Sequence, residues 1–106
     1  MIRHVSLLTF VDGVRAEQIA AIERALVELP QRLPIGAYAF GPDLALSDGN
    51  ADFAVVAEFD DLGGYLAYRD DPEHRRILAE LITPVLASRT AVQYEVVPPA
   101  GSSGSA

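Results

Sequence analysis

The chain predicts an α+β fold with the element order β-α-β-β-α-β, in which four antiparallel strands lie beneath two helices and the second helix is broken in two. Three observations carry that prediction. The opening IRHVSLLTFV, residues 2 to 11, is rich in β-formers and apolar on both alternating faces. The next stretch repeats apolar residues at helical spacing, and two further β-rich runs follow it with no helix between them. A helical pattern restarted at Pro72 then leads to a last strand, which completes a ferredoxin-like arrangement with its helices on one sheet face.

On the first strand Ile2, His4, Ser6, Leu8 and Phe10 share one face, while Val5, Leu7 and Val11 share the other. A strand of that kind is covered on two sides. After the Asp12-Gly13 turn, Ile19, Ile22, Leu26 and Leu29 form the buried stripe of an amphipathic helix over Glu17, Gln18, Glu23 and Arg24. Arg15 stands where a Ser or Thr cap is expected, and Pro30 or Pro34 closes the helix. A second strand fits Ile35 to Pro42 and a third Asp52 to Asp60, with a loop through Asp48-Gly49-Asn50 that is too long for a tight hairpin. Asp60-Asp61 opens a helical segment holding Leu62, Tyr65, Leu66 and Tyr68, weakened by Gly63-Gly64 and reset by Pro72. Ile77, Leu78, Leu81, Ile82, Val85 and Leu86 make the next stripe, Pro84 kinks its last turns, and a final strand spans about Thr90 to Val97. One domain is expected over residues 1–98, with residues 99–106, ending in GSSGSA, a flexible tail or an added remnant.

Helices on one face leave the other face of the first strand open. The simplest cover is the sheet of an identical chain, so a homodimer with a central barrel is expected. Composition narrows the remaining partners. A net charge of −7, with eight scattered arginines and no lysine, argues against nucleic acid and anionic membrane. No run of apolar residues is long enough for a membrane span, and the N-terminus lacks the pattern of a secretory signal, so a cytoplasmic location is expected. The absence of cysteine excludes thiolate chemistry and disulfides. Asp48, Asn50 and Asp52 alternate in a loop in the manner of hard-cation ligands, yet six oxygen ligands are not evident, and neither a metal nor a cofactor is expected.

The candidate chemistry lies in YRDDPEH, residues 68 to 74, which holds one of two histidines. If Asp71 caps a restarted helix and Pro72 is its first residue, His74 sits in the first turn, where the positive dipole end disfavours an imidazolium. Asp70, Asp71 and Glu73 pull the other way. The plain alternatives are a solvated or capping histidine at 74, a core tyrosine at 68, and a buried His4 satisfied by one backbone carbonyl. Tyr38, Tyr65 and Tyr94 read as packing or interface aromatics.

Four stretches, IRHVSLLTFVDGV, GPDLALSDGNADFAVVAEFDDL, YRDDPEH and ASRTAVQYEV, together resemble the stress-responsive A/B-barrel (Dabb) family over nearly the whole chain to about Pro98. The resemblance implies a dimeric ferredoxin-like barrel. The family includes plant polyketide cyclases of the olivetolic acid cyclase type, which close a linear poly-β-keto thioester by cofactor-free aldol chemistry and use a Tyr-x-x-x-Pro-x-His arrangement. Tyr68, Pro72 and His74 match that spacing. The likeness implies His74 as general base, Tyr68 as the group that holds or polarises a carbonyl, and His4 as a cavity residue. Leu8, Ile22, Leu26 and Gln93 are the further candidates for contact with a small carbonyl-rich or aromatic ligand. Two departures stand out: Gln93 occupies the place of an acidic residue, and Ile19, Ile22 and Leu26 replace bulky aromatics. The alternatives are a non-catalytic stress-response or structural barrel, and a cofactor-independent monooxygenase.

Overall fold

The computed structural model describes residues 1–97; the expected tail, residues 99–106, and the end of the expected domain at Pro98 lie outside the described residues. Strand β1 spans Ile2–Phe10, β2 Tyr38–Pro42, β3 Phe53–Phe59 and β4 Leu86–Glu95, in one antiparallel sheet of order β2-β3-β1-β4. Helices α1 (Ala16–Leu26), α2 (Leu62–Asp70) and α3 (Pro72–Ile77) cover one face of it. The predicted α+β, ferredoxin-like order is the observed one.

Alternation explains which face is covered. On β1 the side chains of His4, Ser6, Leu8 and Phe10 are buried, whereas Leu7 between them is exposed. On β3, Phe53, Val55, Ala57 and Phe59 are buried and the residues between them half-buried. These two inward rows meet Ile22 and Leu26 of α1, Tyr68 of α2, Ile77 of α3, and Leu29, Ile82 and Val85 from the connecting turns in a single core. The opposite face presents Val5 and Leu7 beside Val56, Ala54 and Val92, an apolar strip on which nothing is packed among the described residues.

Each helix start has its own cause. Arginine has no side-chain acceptor, so α1 gains only half of a capping box: Gln18 Oε1 accepts from the Arg15 backbone N–H at 2.9 Å. Asp61 caps α2 by accepting from Gly64 N–H at 2.9 Å, which offsets the cost of the Gly63-Gly64 pair. Asp71 is extended, as a residue before proline prefers, and its carboxylate accepts the His74 N–H at 2.9 Å with Pro72 at the first helical position.

Four boundaries depart from the sequence reading. Helix α1 ends at Leu26 rather than at Pro30 or Pro34, and Leu29 falls in a separate 3-10 turn, Leu29–Gln31. The second strand begins at Tyr38 rather than Ile35, although the Gly36 N–H and the Ala37 carbonyl still hydrogen-bond Glu58. The stripe after Pro72 is not one kinked helix. Pro84 has no N–H for the Glu80 carbonyl and its ring would crowd that carbonyl, and the chain responds by widening into a π turn over Leu78–Ile82 and tightening into a 3-10 turn over Thr83–Val85. That early exit lets β4 start at Leu86 rather than Thr90. Asp52 is also not a loop ligand: its Oδ2 accepts the Phe10 N–H at 2.8 Å and ties the loop to the end of β1.

Phe59 is buried and touches the rings of Tyr65 and Tyr68. Phe59→Ala should cost about 3–5 kcal/mol in urea unfolding, against about 0.5 kcal/mol or less for Val27→Ala at an exposed position. Equal losses in the two variants would contradict this placement of the core.

Candidate functional site

Three elements converge where β1 passes beneath the break between α2 and α3. His4 (4% exposed) comes from β1, Tyr68 (3%) from the last turn of α2, and His74 (8%) from the first turn of α3. The Tyr68 and His74 rings lie against each other, centroids 4.1 Å apart and planes inclined at 30°. His4 approaches Tyr68 at 5.9 Å and Tyr65 at 5.5 Å. The break produces this juxtaposition, because an uninterrupted helix would have carried residue 74 past residue 68 instead of folding it back.

The space between them has two adjoining chambers, both partly open. An inner one of about 30 Å³ is lined by His4, Leu8, Leu26, Tyr68 and His74, with Ser6, Val55, Leu78, Ile82 and Arg89 completing the wall. An outer one of about 180 Å³ shares His4, Tyr68, His74, Leu78 and Arg89 and adds Tyr65 and Arg69. Of the expected contact residues, Leu8 and Leu26 line the inner chamber. Ile22 does not: it is fully buried in the core under α1, a stripe position one turn too early to reach the cavity. Gln93 lies outside the chamber wall and touches His4 instead. A larger concavity of about 440 Å³ near Leu7, Leu44 and Leu46 belongs to the open apolar side and has Asp43 as its one carboxylate. Among the described residues no cluster of His, Asp and Glu is placed to hold a metal ion.

β4 pairs with β1 so that Gln93 faces His4, and the Gln93 amide nitrogen lies 2.8 Å from His4 Nδ1. With the amide donating, Nδ1 is the acceptor and the ring proton resides on Nε2. A carboxylate here would favour imidazolium; a carboxamide does not. Burial accordingly drives His4 down to about 4, with the Arg89 guanidinium and His74 adding to the effect. For His74 burial is again the largest influence and lowers its pKa. The Arg69 and Tyr68 carbonyls and the Asp71 carboxylate oppose it as nearby negative ends, and Arg89 reinforces it. The other flanking carboxylates are occupied at the surface, Asp70 by Arg69 at 2.8 Å and Glu73 by Arg76 at 2.6 Å. His74 Nδ1 is buried and, among the described residues, makes no hydrogen bond of acceptable geometry, although the Arg69 and Tyr68 carbonyls lie close to the ring. Burial raises Tyr68, so its phenol stays protonated at neutral pH. The Tyr38 hydroxyl is likewise buried and, among the described residues, has no hydrogen-bond partner of acceptable geometry, though its ring meets that of Tyr68 edge-on at 6.2 Å.

Sequence reasoning passed over Arg89, Ser6 and Tyr65. Arg89 pairs with Leu8 across β1 and its Nε donates to Ser6 Oγ at 3.1 Å, which sets the guanidinium at the wall of both chambers. Its spacing of four from Gln93 places it on the same strand face, a signal hidden by starting the strand at Thr90. Tyr65 is a wall of the outer chamber as well as a packing aromatic.

Neutral buried histidines make stability depend on pH with a definite sign. The unfolded chain takes up protons at His4 below about 6.5 and the folded chain only near 4, so stability is full above pH 6.5 and falls as the pH drops towards 4. For His4 the slope should approach ~1.4 kcal/mol per pH unit in that window, and the lowered pKa of His74 adds to it with the same sign. Urea midpoints measured from pH 7 to 4.5 should show it, and His4→Gln should flatten the slope by one proton's share. An unchanged slope in that variant would mean His4 titrates normally.

No curated protein sequence matches the chain. Among solved structures, a dimeric ferredoxin-like protein of unknown function from Thermobifida fusca is 46% identical, with 90% of each chain covered and a TM-score of 0.83. A protein from Arabidopsis thaliana is 21% identical over 92% of this chain and 97% of its own, with a TM-score of 0.78. Hydroxynitrile lyase from Passiflora edulis is 18% identical over 92% of this chain and 96% of its own, with a TM-score of 0.76. At those lower identities the likeness concerns the fold. The profile of the stress-responsive A/B barrel domain matches residues 2–96, and the chain therefore belongs to the Dabb family.

Proposed function

We propose that the chain works as a homodimer whose chambers take a small carbonyl-bearing or aromatic molecule, and that Tyr68 and His74 perform cofactor-free acid/base chemistry on it. The observation that carries this reading is the buried His74 ring, kept neutral by burial and stacked against a buried phenol at a cavity wall. The homodimer is supported by the bare apolar strip around Val5 and Leu7 and by the dimeric Thermobifida relative.

In this scheme neutral His74 removes a proton from carbon next to a carbonyl, or from a hydroxyl on the carbon that is to become one. Tyr68, held protonated by burial, donates a hydrogen bond to the oxygen on which negative charge develops. His4, neutral and fixed by Gln93, shapes the wall without adding a positive charge. An aldol closure fits these roles directly; in the cleavage of a hydroxynitrile, the reaction class named for the Passiflora protein of the same fold, His74 would take the hydroxyl proton as the bond from carbon to cyanide breaks and pass it to the departing cyanide, with Tyr68 holding the oxygen that becomes the carbonyl. Both chambers are smaller than the roughly 300 Å³ at which pockets for drug-sized ligands begin, which favours a compact molecule over a long polyketide chain. The narrow inner chamber also supports a second reading, a structural barrel filled by its own side chains.

Exchange of the α-protons of acetylacetone in D2O, followed by NMR, separates the two. The wild type should accelerate exchange above an equal concentration of imidazole, and His74→Gln should lower the rate by roughly 10²- to 10⁴-fold with the oligomeric state intact. Tyr68→Phe should lower it as well. The rate should fall as the pH drops below the depressed pKa of His74, under 6.5, because the base must be unprotonated. No acceleration by the wild type, or none lost in His74→Gln, leaves the structural barrel.

A further inference from the structure

We propose that the ligand of this site carries a carboxylate, and that Arg89 is the residue that holds it. The inference rests on the chambers being a ligand site and adds the chemical class of what enters them. Arg89 projects from β4 on the helix-covered side of the sheet, opposite Leu8, and forms part of the wall of both chambers. Arg89 is exposed at the rim, and its Nε donates to Ser6 Oγ at 3.1 Å, which orients the guanidinium and leaves the N–H groups of both terminal nitrogens to act together. Among the described residues Arg89 forms no ion pair, although the chain carries fifteen acidic residues against eight basic ones.

The contrast with Arg69 is informative. Arg69 also lines the outer chamber, but Asp70 beside it takes its Nε at 2.8 Å and a terminal nitrogen at 3.2 Å. In a chain with net charge −7, the chamber therefore retains one cation not neutralised by an acid. It faces two imidazoles and a phenol, none of which carries the compensating negative charge. A planar two-oxygen anion suits a guanidinium whose terminal nitrogens are presented side by side. Leu8, Leu26, Val55, Leu78 and Ile82 surround the remainder of the space with apolar surface, so the acid would bear a short hydrophobic or carbonyl-containing body directed inward. A phosphate, with its heavier charge and hydration, is the poorer fit to that apolar wall.

Calorimetric titration with benzoate, with its uncharged isostere benzamide and with inorganic phosphate tests this. Benzoate should bind the wild-type protein, and at least about tenfold more weakly to Arg89→Gln, as expected for loss of a charge-assisted contact. Arg24→Gln makes the same change in net charge at a remote position and should leave benzoate binding unaltered. Arg89→Lys, which keeps the charge but loses the fork, should fall between. Equal binding of benzoate and benzamide, undiminished benzoate binding in Arg89→Gln, no benzoate binding by the wild type, or phosphate binding in preference to benzoate would each overturn the carboxylate assignment. The acetylacetone exchange assay is independent, because that probe has no carboxylate. Exchange that persists while benzoate binding fails removes only the present inference, whereas benzoate binding through Arg89 without exchange removes only the catalytic roles.

Discussion

The buried carboxylate of Asp71 is the contact on which the site depends. It accepts the His74 backbone N–H at 2.9 Å, and it draws in the Arg32 guanidinium at 3.1 Å from the turn after α1. The first contact allows α3 to begin afresh after α2 has ended; the second ties that new start to a distant part of the chain. Pro72 prevents any continuation of α2, so the angle between the two helices is set by a carboxylate and a pyrrolidine ring rather than by apolar packing alone. From that angle follow the stacking of Tyr68 on His74 and the position of both over His4. The paired Arg32 is half exposed, so its worth lies less in stability than in holding one orientation.

Polarity within the cavity follows from burial more than from charge. Three acids flank His74 in the sequence, and proximity alone would have made it a better proton acceptor. Two of them are paired with arginines at the surface, and only Asp71 remains near enough to act. Desolvation therefore decides, for His74 as for His4. Gln93 extends the same logic, since an amide steadies an imidazole without giving it a reason to charge. The result is a chamber in which the ring nitrogens are neutral and the fixed charge stands at the wall, on Arg89.

Much of this was legible in the residues. The two apolar faces of IRHVSLLTFV, the stripe through Ile22 and Leu26, and the Asp71-Pro72 start each express a local rule, and the structure obeys each. The pairing of Tyr68 with His74 was legible through motif spacing and a family resemblance, although spacing alone does not give a ring stack. What escaped were consequences of registry and of crowding. Ile22 belongs to the same helical stripe as Leu26, and only the three-dimensional path of α1 separates a core residue from a chamber residue. Arg89 acquired a place only once β4 was matched to β1 residue by residue, and that match depended on where Pro84 forced the preceding helix to end. Each is a long-range outcome that no short window of sequence contains.

Strand β1 has a double role that helix α3 lacks. Its even positions, His4, Ser6 and Leu8, form a chamber wall, while its odd positions, Val5 and Leu7, lie on the bare side of the sheet. Adjacent residues on a strand are rigidly linked, so a shift that improves packing on the bare side moves the wall on the other by a comparable distance. Divergence within such a barrel would thus be asymmetric. New ligand preferences could be acquired through α3, the π turn and β4, whereas β1 would have to satisfy two surfaces with every substitution.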